Sequence, residues 1–530
     1  MLKEMKKAKG AGGLGSIIGG TLSLTVSTLA VKILGLVYKI PLAGILTDEG
    51  MGYFNSAYTV FGLFYLLCTA GVPKAVMILC SEVKNGDDEA VEQTVKISMK
   101  AFFAVGLTVT VLFAVFSFPI ARLIGNSGSA FTMLSIAPSI LFVALGGVIR
   151  GYLTSRAQYL DIAVSGVIEG VAKLVLGLIF GFIGINLRLP LQTISAMTIL
   201  GTTIGAIFSF IHLYICSKSL NTSNNSRQNK APLKSREVIP KLLKISVPIT
   251  LSSAVMSLTN IIDLSLVMRR LADAGLTEVE ASALYGNYTT LAVSMFNFAM
   301  SVVTPVSIIF LPHFTRSFVS RDTTSYRGFI ESALRLVSFI SAPMTFGLAF
   351  YSYEILALIF GADAASVGAP LLSLISPAVL FSSLLIIINT SLEASGKVNA
   401  PIYSMLLGGV VKIVVGYFLI ADAKFGISGA PIGTVASYAA AFLVSSIILV
   451  KLTKRNLPII KTVVPSYMIA GVSVSLSKML FFVLKSLIGN SFSLLLSIAL
   501  CALIYLGFSA LFNTFGREEK SLLAKYTNFA

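Results

Sequence analysis

The nonapeptide EGVAKLVLG (residues 169–177) returns later in the chain as GGVVKIVVG (408–416). Lys173 then matches Lys412, and Gly177 matches Gly416. A second pair keeps the same order: GVPKAVMIL (71–79) resembles VTPVSIIFL (303–311), which sets Pro73 against Pro305. Ordered matches at similar offsets describe a chain built from two parallel repeats. Between them lies SKSLNTSNNSRQNKAPLKSRE (217–237), polar and without an apolar period, a linker by composition.

The repeats sit in a very apolar chain. Of 530 residues, 55% are hydrophobic and only 12% are charged, with a mean hydropathy of +0.88. A soluble protein carries about 25% charged residues. A helical membrane crossing needs about 20 mostly apolar residues. Fourteen such stretches are expected, near 14–40, 53–80, 94–118, 130–153, 161–183, 190–217, 240–268, 285–312, 328–351, 367–392, 401–421, 428–451, 461–486 and 490–514. The fold class is therefore an all-α polytopic membrane protein with two pseudo-symmetric six-helix bundles and an appended helix pair, a transporter architecture. The expected divisions are a first bundle at 1–217, a cytoplasmic linker at 218–237, a second bundle at 238–455, and helices 13 and 14 with a cytoplasmic tail at 456–530.

The net charge of +17 could point to nucleic acid. Its distribution excludes that partner: the cations fall mainly in alternate loops, the positive-inside pattern, and no aromatic–basic patch of the single-strand-binding kind occurs. The chain is placed in the cell membrane, multi-pass, with both termini cytoplasmic. The opening MLKEMKKAKG leads into a long apolar run without a cleavage site after a short core, so no cleavable signal is expected. The sequence has no GxxxxGK[ST] loop, HExxH, GxSxG or Cys/His zinc spacing. Neither an enzyme, a metal site nor a cofactor is expected. The four cysteines have no CxxC spacing and read as small buried hydrophobes.

Charges inside the apolar stretches are the functional candidates, because an ionisable group at the bilayer centre costs at least ~2.5 kcal/mol. VKILGLVYKIPL (31–42) carries Lys32 and Lys39, seven residues apart, hence on one helix face and about 10.5 Å from each other along the axis. Either they line a cavity or they snorkel toward a helix end. Pro41 places Lys39 near a bend or helix end, with Lys32 deeper. Lys74 follows Pro73, which is expected inside the second span as a bend. Glu169 and Lys173, at i and i+4, are expected as a helical charge pair or a coupling site. Lys412 has Gly408 where that acid would be. Asp263 is a further coupling candidate. Asn297 and Pro305 offer a polar group and a bend in span 8. Arg150, Arg156, Arg316 and Glu393 read as solvated helix ends, and Arg269 and Arg270 as interfacial. Deep cations outnumber deep anions, which suits an anionic ligand such as phosphate.

The run VKILGLVYKIPLAGILTDEGMGYFNSAYTVFGLFYLLCTAGVPKAV resembles the stage V sporulation protein B branch of polysaccharide exporters. GGVIRGYLTSRAQYLDIAVSGVIEG, ISVPITLSSAVMSLTNIIDLSLVMRRL, ALYGNYTTLAVSMFNFAMSVVTPVSIIFLP and NTSLEASGKVNAPIY resemble the same family, so the likeness covers nearly the whole chain. That family is a relative of lipid II flippases within the multidrug/oligosaccharidyl-lipid/polysaccharide exporter superfamily. The resemblance implies a central V-shaped cavity, alternating access, and an undecaprenyl-pyrophosphate-linked glycan as substrate. It also implies that Lys32, in VKILG, takes the place of a cavity-lining cation of the first helix, with Lys39 or Tyr38 near a second one. Lysine there replaces arginine and gives up bidentate phosphate recognition. The cavity arginines of spans 2 and 8 have no clear counterpart.

Three functions remain open on this reading, one of them a membrane scaffold or polymerase accessory with no transport. In the first, a flippase binds its anionic polyprenyl-linked glycan through Lys32, Lys39, Lys74, Lys412 and Asn297; a monomer in the bilayer is the working expectation. The alternative is a multidrug/cation antiporter of the same fold, which needs a cavity carboxylate, with Glu169 and Asp263 as candidates.

Overall fold

The computed structural model describes residues 14–82, 88–221, 235–397, 399–422, 424–454 and 459–512. The N-terminal lysines, most of the linker at 218–237 and the tail after 512 lie outside these residues. All regular structure among the described residues is helical. Among the described residues, eleven helices are long and apolar enough to cross a membrane, or twelve if the bent pair Ser127–Ile136 and Ser139–Ser155 counts as one span. Fourteen crossings are compatible with this. The stretch Ala30–Ser81 has 52 residues, about 78 Å of helix, more than twice the ~30 Å hydrocarbon core. Ser235–Asp273 adds 39 more helical residues.

The first helix, Leu14–Thr69, continues through Pro41 and breaks instead at Thr47 (φ 56°, ψ −178°). The bend expected at Pro41 is thus displaced by six residues. The cause is local: Thr47-Asp48-Glu49-Gly50 is the polar interruption between two apolar runs. A β-branched residue at positive φ is strained by ~1–2 kcal/mol. Around it the backbone is closely packed. A Cβ on Gly52 would lie 2.0 Å from the Ser282 carbonyl oxygen, and one on Gly286 would lie 2.3 Å from that of Asp48. Asn126 Nδ2 donates to Ser56 Oγ at 2.8 Å in the same region.

A second break, at Ala70–Gly71, precedes the helix Val72–Glu82. Pro73 therefore occupies a first helical turn, where its missing N–H costs little, rather than a helix interior. Pro305, by contrast, does lie inside a helix, Ser294–Val319, together with Pro312.

The chain divides into two compact units, residues 1–269 with 277–286, and residues 270–276 with 287–530. The boundary falls beyond the polar linker, because the Ser235–Asp273 helix packs with the first unit. Gly71 lets it approach: a Cβ there would be 2.2 Å from the Ser246 carbonyl oxygen. Val238 and Leu242 join Val72, Val76, Val148 and Leu153 in one apolar cluster.

The second unit has its own core, with Phe310, Phe314, Ile330, Leu334, Ile388 and Leu449 buried together. The Thr323–Phe350 helix is capped by Asp322, which accepts from the N–H groups of Thr324 at 3.1 Å and Ser325 at 3.0 Å. The last two helices, Val464–Ile488 and Asn490–Leu511, attach to this unit. Lys478 Nζ reaches Glu354 Oε1 at 2.6 Å, and Tyr351 bonds Ser477 Oγ at 2.8 Å. The rings of Tyr351, Phe481 and Phe482 surround the Lys478 ammonium at 4.6, 5.2 and 5.5 Å.

The nonapeptide repeat reappears as a packing repeat. In the first unit a Cβ on Gly201 would meet Gly177 N at 2.5 Å and the Lys173 carbonyl oxygen at 2.9 Å. In the second unit a Cβ on Gly433 would meet the Lys412 carbonyl oxygen at 3.4 Å and Gly416 N at 3.7 Å. Matching residues on matching helices thus face each other in each unit, with the tighter approach in the first.

Candidate functional site

Three helical stretches of the first unit bring basic and aromatic side chains together as a candidate site. The first is the stretch from Val31 to Lys39. Val31 and Leu34 pack against Gly166 and Gly170 of the helix Tyr159–Asn186. One further turn on, the fully buried Tyr38 donates its hydroxyl to the Thr198 carbonyl at 3.2 Å. These contacts fix the rotation of the helix. Lys32 and Lys39, each one residue on from this packed row, come to its edge: Lys32 is exposed and Lys39 half-buried.

The second wall is a ladder of rings after the Thr47 break. Phe54, Tyr58, Phe61 and Tyr65 recur at helical spacing, so they share a face. Successive centroids are 6.2, 5.9 and 5.7 Å apart, and Tyr38 joins the ladder 6.1 Å from Phe54.

The third contributor is the Tyr159–Asn186 helix. Lys173 Nζ lies 4.4 Å from the Tyr58 ring centroid and 5.6 Å from that of Tyr38. The ammonium sits on the negative face of the rings, a contact that strengthens as water is excluded. Lys173 and Lys39 are close enough to repel each other.

The expected Glu169–Lys173 pair is not formed. Glu169 Oε2 instead takes Arg150 Nη2 at 3.2 Å, and the same nitrogen donates to Ser209 Oγ at 3.1 Å. Arg150 also hydrogen-bonds Tyr65. The i, i+4 spacing makes a Glu–Lys pair possible; a guanidinium from the neighbouring Ser139–Ser155 helix meets the carboxylate first. Arg150 is consequently no solvated helix end, since its side chain is only 21% exposed. Arg156, at the end of that helix, pairs with Asp88.

The remaining candidates are spread. Lys74 is exposed, next to Pro73, and Asp263 is half-buried on the Ser235–Asp273 helix. In the second unit, Lys412 is half-buried and lies near Tyr438, while Asn297 is exposed on Ser294–Val319. Arg269 donates to the Leu123 carbonyl at 2.7 Å within the first unit. Arg270 lies 4.0 Å over the Tyr417 ring and bonds the Tyr417 carbonyl at 2.9 Å within the second. The structure thus pairs Glu169 with Arg150 and seats Lys173 on Tyr58 and Tyr38, whereas the sequence placed Arg150 at a solvated helix end and did not single out Tyr58 or Tyr65. The missed signal was the aromatic stripe at 54, 58, 61 and 65.

The chain is 23% identical over 423 residues to stage V sporulation protein B of Bacillus subtilis (strain 168), covering 79% of this chain and 81% of that protein. It is likewise 23% identical over 451 residues to the lipid II flippase MurJ of the same organism, 81% of each chain. Among solved structures, lipid II flippase MurJ in an inward closed conformation superposes with a TM-score of 0.69 at 18% identity, over 92% of this chain and 98% of that one. An inward-facing multidrug resistance MATE family transporter of the MOP superfamily gives 0.66 at 13% identity, over 82% and 98%. Both share the fold. Residues 17–319 match the family profile described as polysaccharide biosynthesis protein, and the chain belongs to that family of multi-pass membrane proteins.

Proposed function

We propose that the chain moves a polyprenyl-diphosphate-linked oligosaccharide, lipid II or a related cell-envelope or spore-cortex precursor, from the inner to the outer leaflet by alternating access. The observation that carries this reading is the charge balance of the site in the first unit. Among the described residues, Lys173 and Arg150 gather there with Lys39 in electrostatic range of Lys173, and the carboxylate of Glu169 is held by Arg150. In a low-dielectric setting such an excess attracts an anionic headgroup strongly. Lys32, on the helix face of Lys39, and Lys74 extend the cationic surface. Lys412 and Asn297 are the contributions proposed for the second unit. The polyprenyl tail stays in lipid throughout, and no bond of the substrate is made or broken. The protein acts as a monomer with both termini in the cytoplasm. Relatives that bear the name lipid II flippase support the reading.

The direct test is leaflet transfer of a fluorescent polyprenyl-linked glycan in proteoliposomes. Lys32→Ala abolishes transfer while the protein still inserts and folds, and Lys32→Arg retains it. Normal transfer by the alanine variant overturns this role for Lys32.

The likeness to the MATE transporter supports a second reading, a multidrug/cation antiporter. That chemistry needs an available carboxylate. Glu169 is held by Arg150, which leaves Asp263 as the candidate. Uptake of a cationic dye coupled to a pH gradient, and lost in Asp263→Asn, would favour it.

A further inference from the structure

We infer that the stretch Tyr288–Val293 is a joint of the transport cycle, where one long helix swivels, and that Ser294 sets the form of that joint. The inference rests on the flippase reading above and adds to it the place in the chain where the moving part turns.

The helix runs from Glu278 to Val319, 42 residues. Within it Tyr288–Val293 form a π-helical turn, the only one among the described residues. Such turns are rare, and inside an α-helix they frequently mark functional sites. No glycine or proline in YTTLAV loosens the backbone there. The helix is unbroken on either side: Asn287 (φ −60°, ψ −49°) and Ser294 (φ −66°, ψ −40°) keep α-helical angles.

Packing accounts for the wider turn. Through Gly286 the helix belongs to the first unit, and from Asn287 on it belongs to the second. The part before the joint is locked by close backbone approach: a Cβ on Gly52 would lie 2.0 Å from the Ser282 carbonyl oxygen, and one on Gly286 2.3 Å from that of Asp48. Glu278 accepts from the N–H and hydroxyl of Ser127, and Asn126 Nδ2 donates to Ser282 Oγ at 3.3 Å. The part from Tyr288 on is held just as firmly within the second unit. The hydroxyls of Tyr288 and Thr434 are 3.0 Å apart, a Cβ on Gly368 would lie 2.6 Å from Leu291 Cδ1, and the Phe296 and Tyr438 rings are 5.5 Å apart. Each part takes its register from its own unit, so a surplus residue is absorbed between them.

Ser294 belongs to that wider turn. In a regular helix a serine hydroxyl returns to the carbonyl three or four residues back. Ser294 Oγ instead donates to the Thr289 carbonyl, five residues back, at 3.0 Å. A π-turn closes on the fifth residue back and an α-turn on the fourth. Exchanging one carbonyl for the next rotates the residues beyond it about the helix axis and leaves no N–H without an acceptor, which a buried backbone requires. Ser294 is therefore a positioning residue: its hydroxyl favours the wide form.

Deletion of Val293, a half-buried residue, tests the joint. It removes the surplus residue, keeps the register of both packed parts, and puts Ser294 four residues from Thr289, an ordinary helical spacing. Transfer of a fluorescent polyprenyl-linked glycan in proteoliposomes is expected to be lost. The unfolding temperature, read with a thiol-reactive dye since Cys68 and Cys80 are buried, should match or exceed that of the wild type. Wild-type transfer by the deletion variant overturns the inference, as does lost transfer with a lowered unfolding temperature, the mark of plain packing damage. Should the deletion fail to fold, Ser294→Ala and Ser294→Thr decide. The alanine variant should slow transfer about fivefold, the worth of one hydrogen bond, and the threonine variant, which keeps the hydroxyl, should retain the rate. Equal rates in the two overturn the inference. Hydrogen exchange in detergent reads the joint without substrate: wild-type amides of 288–293 should exchange faster than those of 278–286 and 295–303, and uniform protection along the helix overturns the inference. The flippase reading fails separately, if wild-type proteoliposomes move no glycan-linked lipid while that exchange pattern stands.

Discussion

Removing Arg150 should disable the site indirectly, by releasing Glu169. In the folded chain Arg150 Nη2 holds Glu169 Oε2 at 3.2 Å and Ser209 Oγ at 3.1 Å. In Arg150→Ala the carboxylate loses that partner and turns to the next cation within reach. Lys173 is four residues later on the same helix, with the acid N-terminal to the base, the favourable order. At about 4 Å and an effective dielectric near 20, such a pair is worth about 4 kcal/mol. The two tyrosine faces hold Lys173 by about 2 kcal/mol. The balance favours capture by about 2 kcal/mol, which leaves roughly one Lys173 in thirty on its ring seat. Initial rates of glycan-lipid transfer in proteoliposomes should therefore fall about 30-fold. The decisive variant is the double substitution Arg150→Ala with Glu169→Gln. It removes the capturing charge, returns Lys173 to Tyr58, and restores most of the rate. A double variant no faster than Arg150→Ala, with both proteins folded by thiol-dye unfolding, would falsify the proposed coupling between the pair and Lys173.

Three further outcomes follow from other parts of the fold. Lys478→Ala strips Glu354 of a partner 2.6 Å away in a site only 17–18% exposed. It should cost about 3 kcal/mol, read as a drop of several degrees in the unfolding temperature, and Glu354→Gln in the same chain should recover part of it. Gly52→Ala would place a methyl group 2.0 Å from the Ser282 carbonyl oxygen; a loss of at least about 2 kcal/mol is expected, and a thermal shift near zero would contradict the packing. Asp322 caps the Thr323–Phe350 helix, and its bonds to Ser325 hold its carboxyl below the usual carboxylate range. Because the folded value is depressed, the cap stabilises fully above the unfolded value of about 3.9 and weakens as pH falls below it. Asp322→Asn should flatten that part of a pH–unfolding curve.

Much of the architecture was legible because membrane crossings announce themselves in hydropathy. The nonapeptide repeat went further, since its lysines and glycines mark the same helix contact in both units. What stayed hidden was partner choice. Glu169 and Lys173 look paired when only their own helix is considered, but Arg150 arrives from 19 residues earlier on another helix. The kink position was hidden for a different reason. Proline is the usual signal, yet the chain passes through Pro41 as helix and breaks at Thr47, where a polar run and the tightly packed Gly52 and Gly286 determine the backbone. The Ser235–Asp273 helix lies after the polar linker in sequence, so only the contact at Gly71 reveals that it packs with the first unit. The tyrosine stripe was in plain view, but periodic rings read as ordinary core until Lys173 is seen on them.

The most direct test of the central claim is the initial rate of inner-to-outer leaflet transfer of a fluorescent polyprenyl-diphosphate glycan in proteoliposomes. Transfer should saturate with substrate, be competed by unlabelled polyprenyl diphosphate, and be unaffected by cationic dyes. A rate no higher than in protein-free liposomes, or proton-coupled dye uptake in its place, contradicts the flippase function.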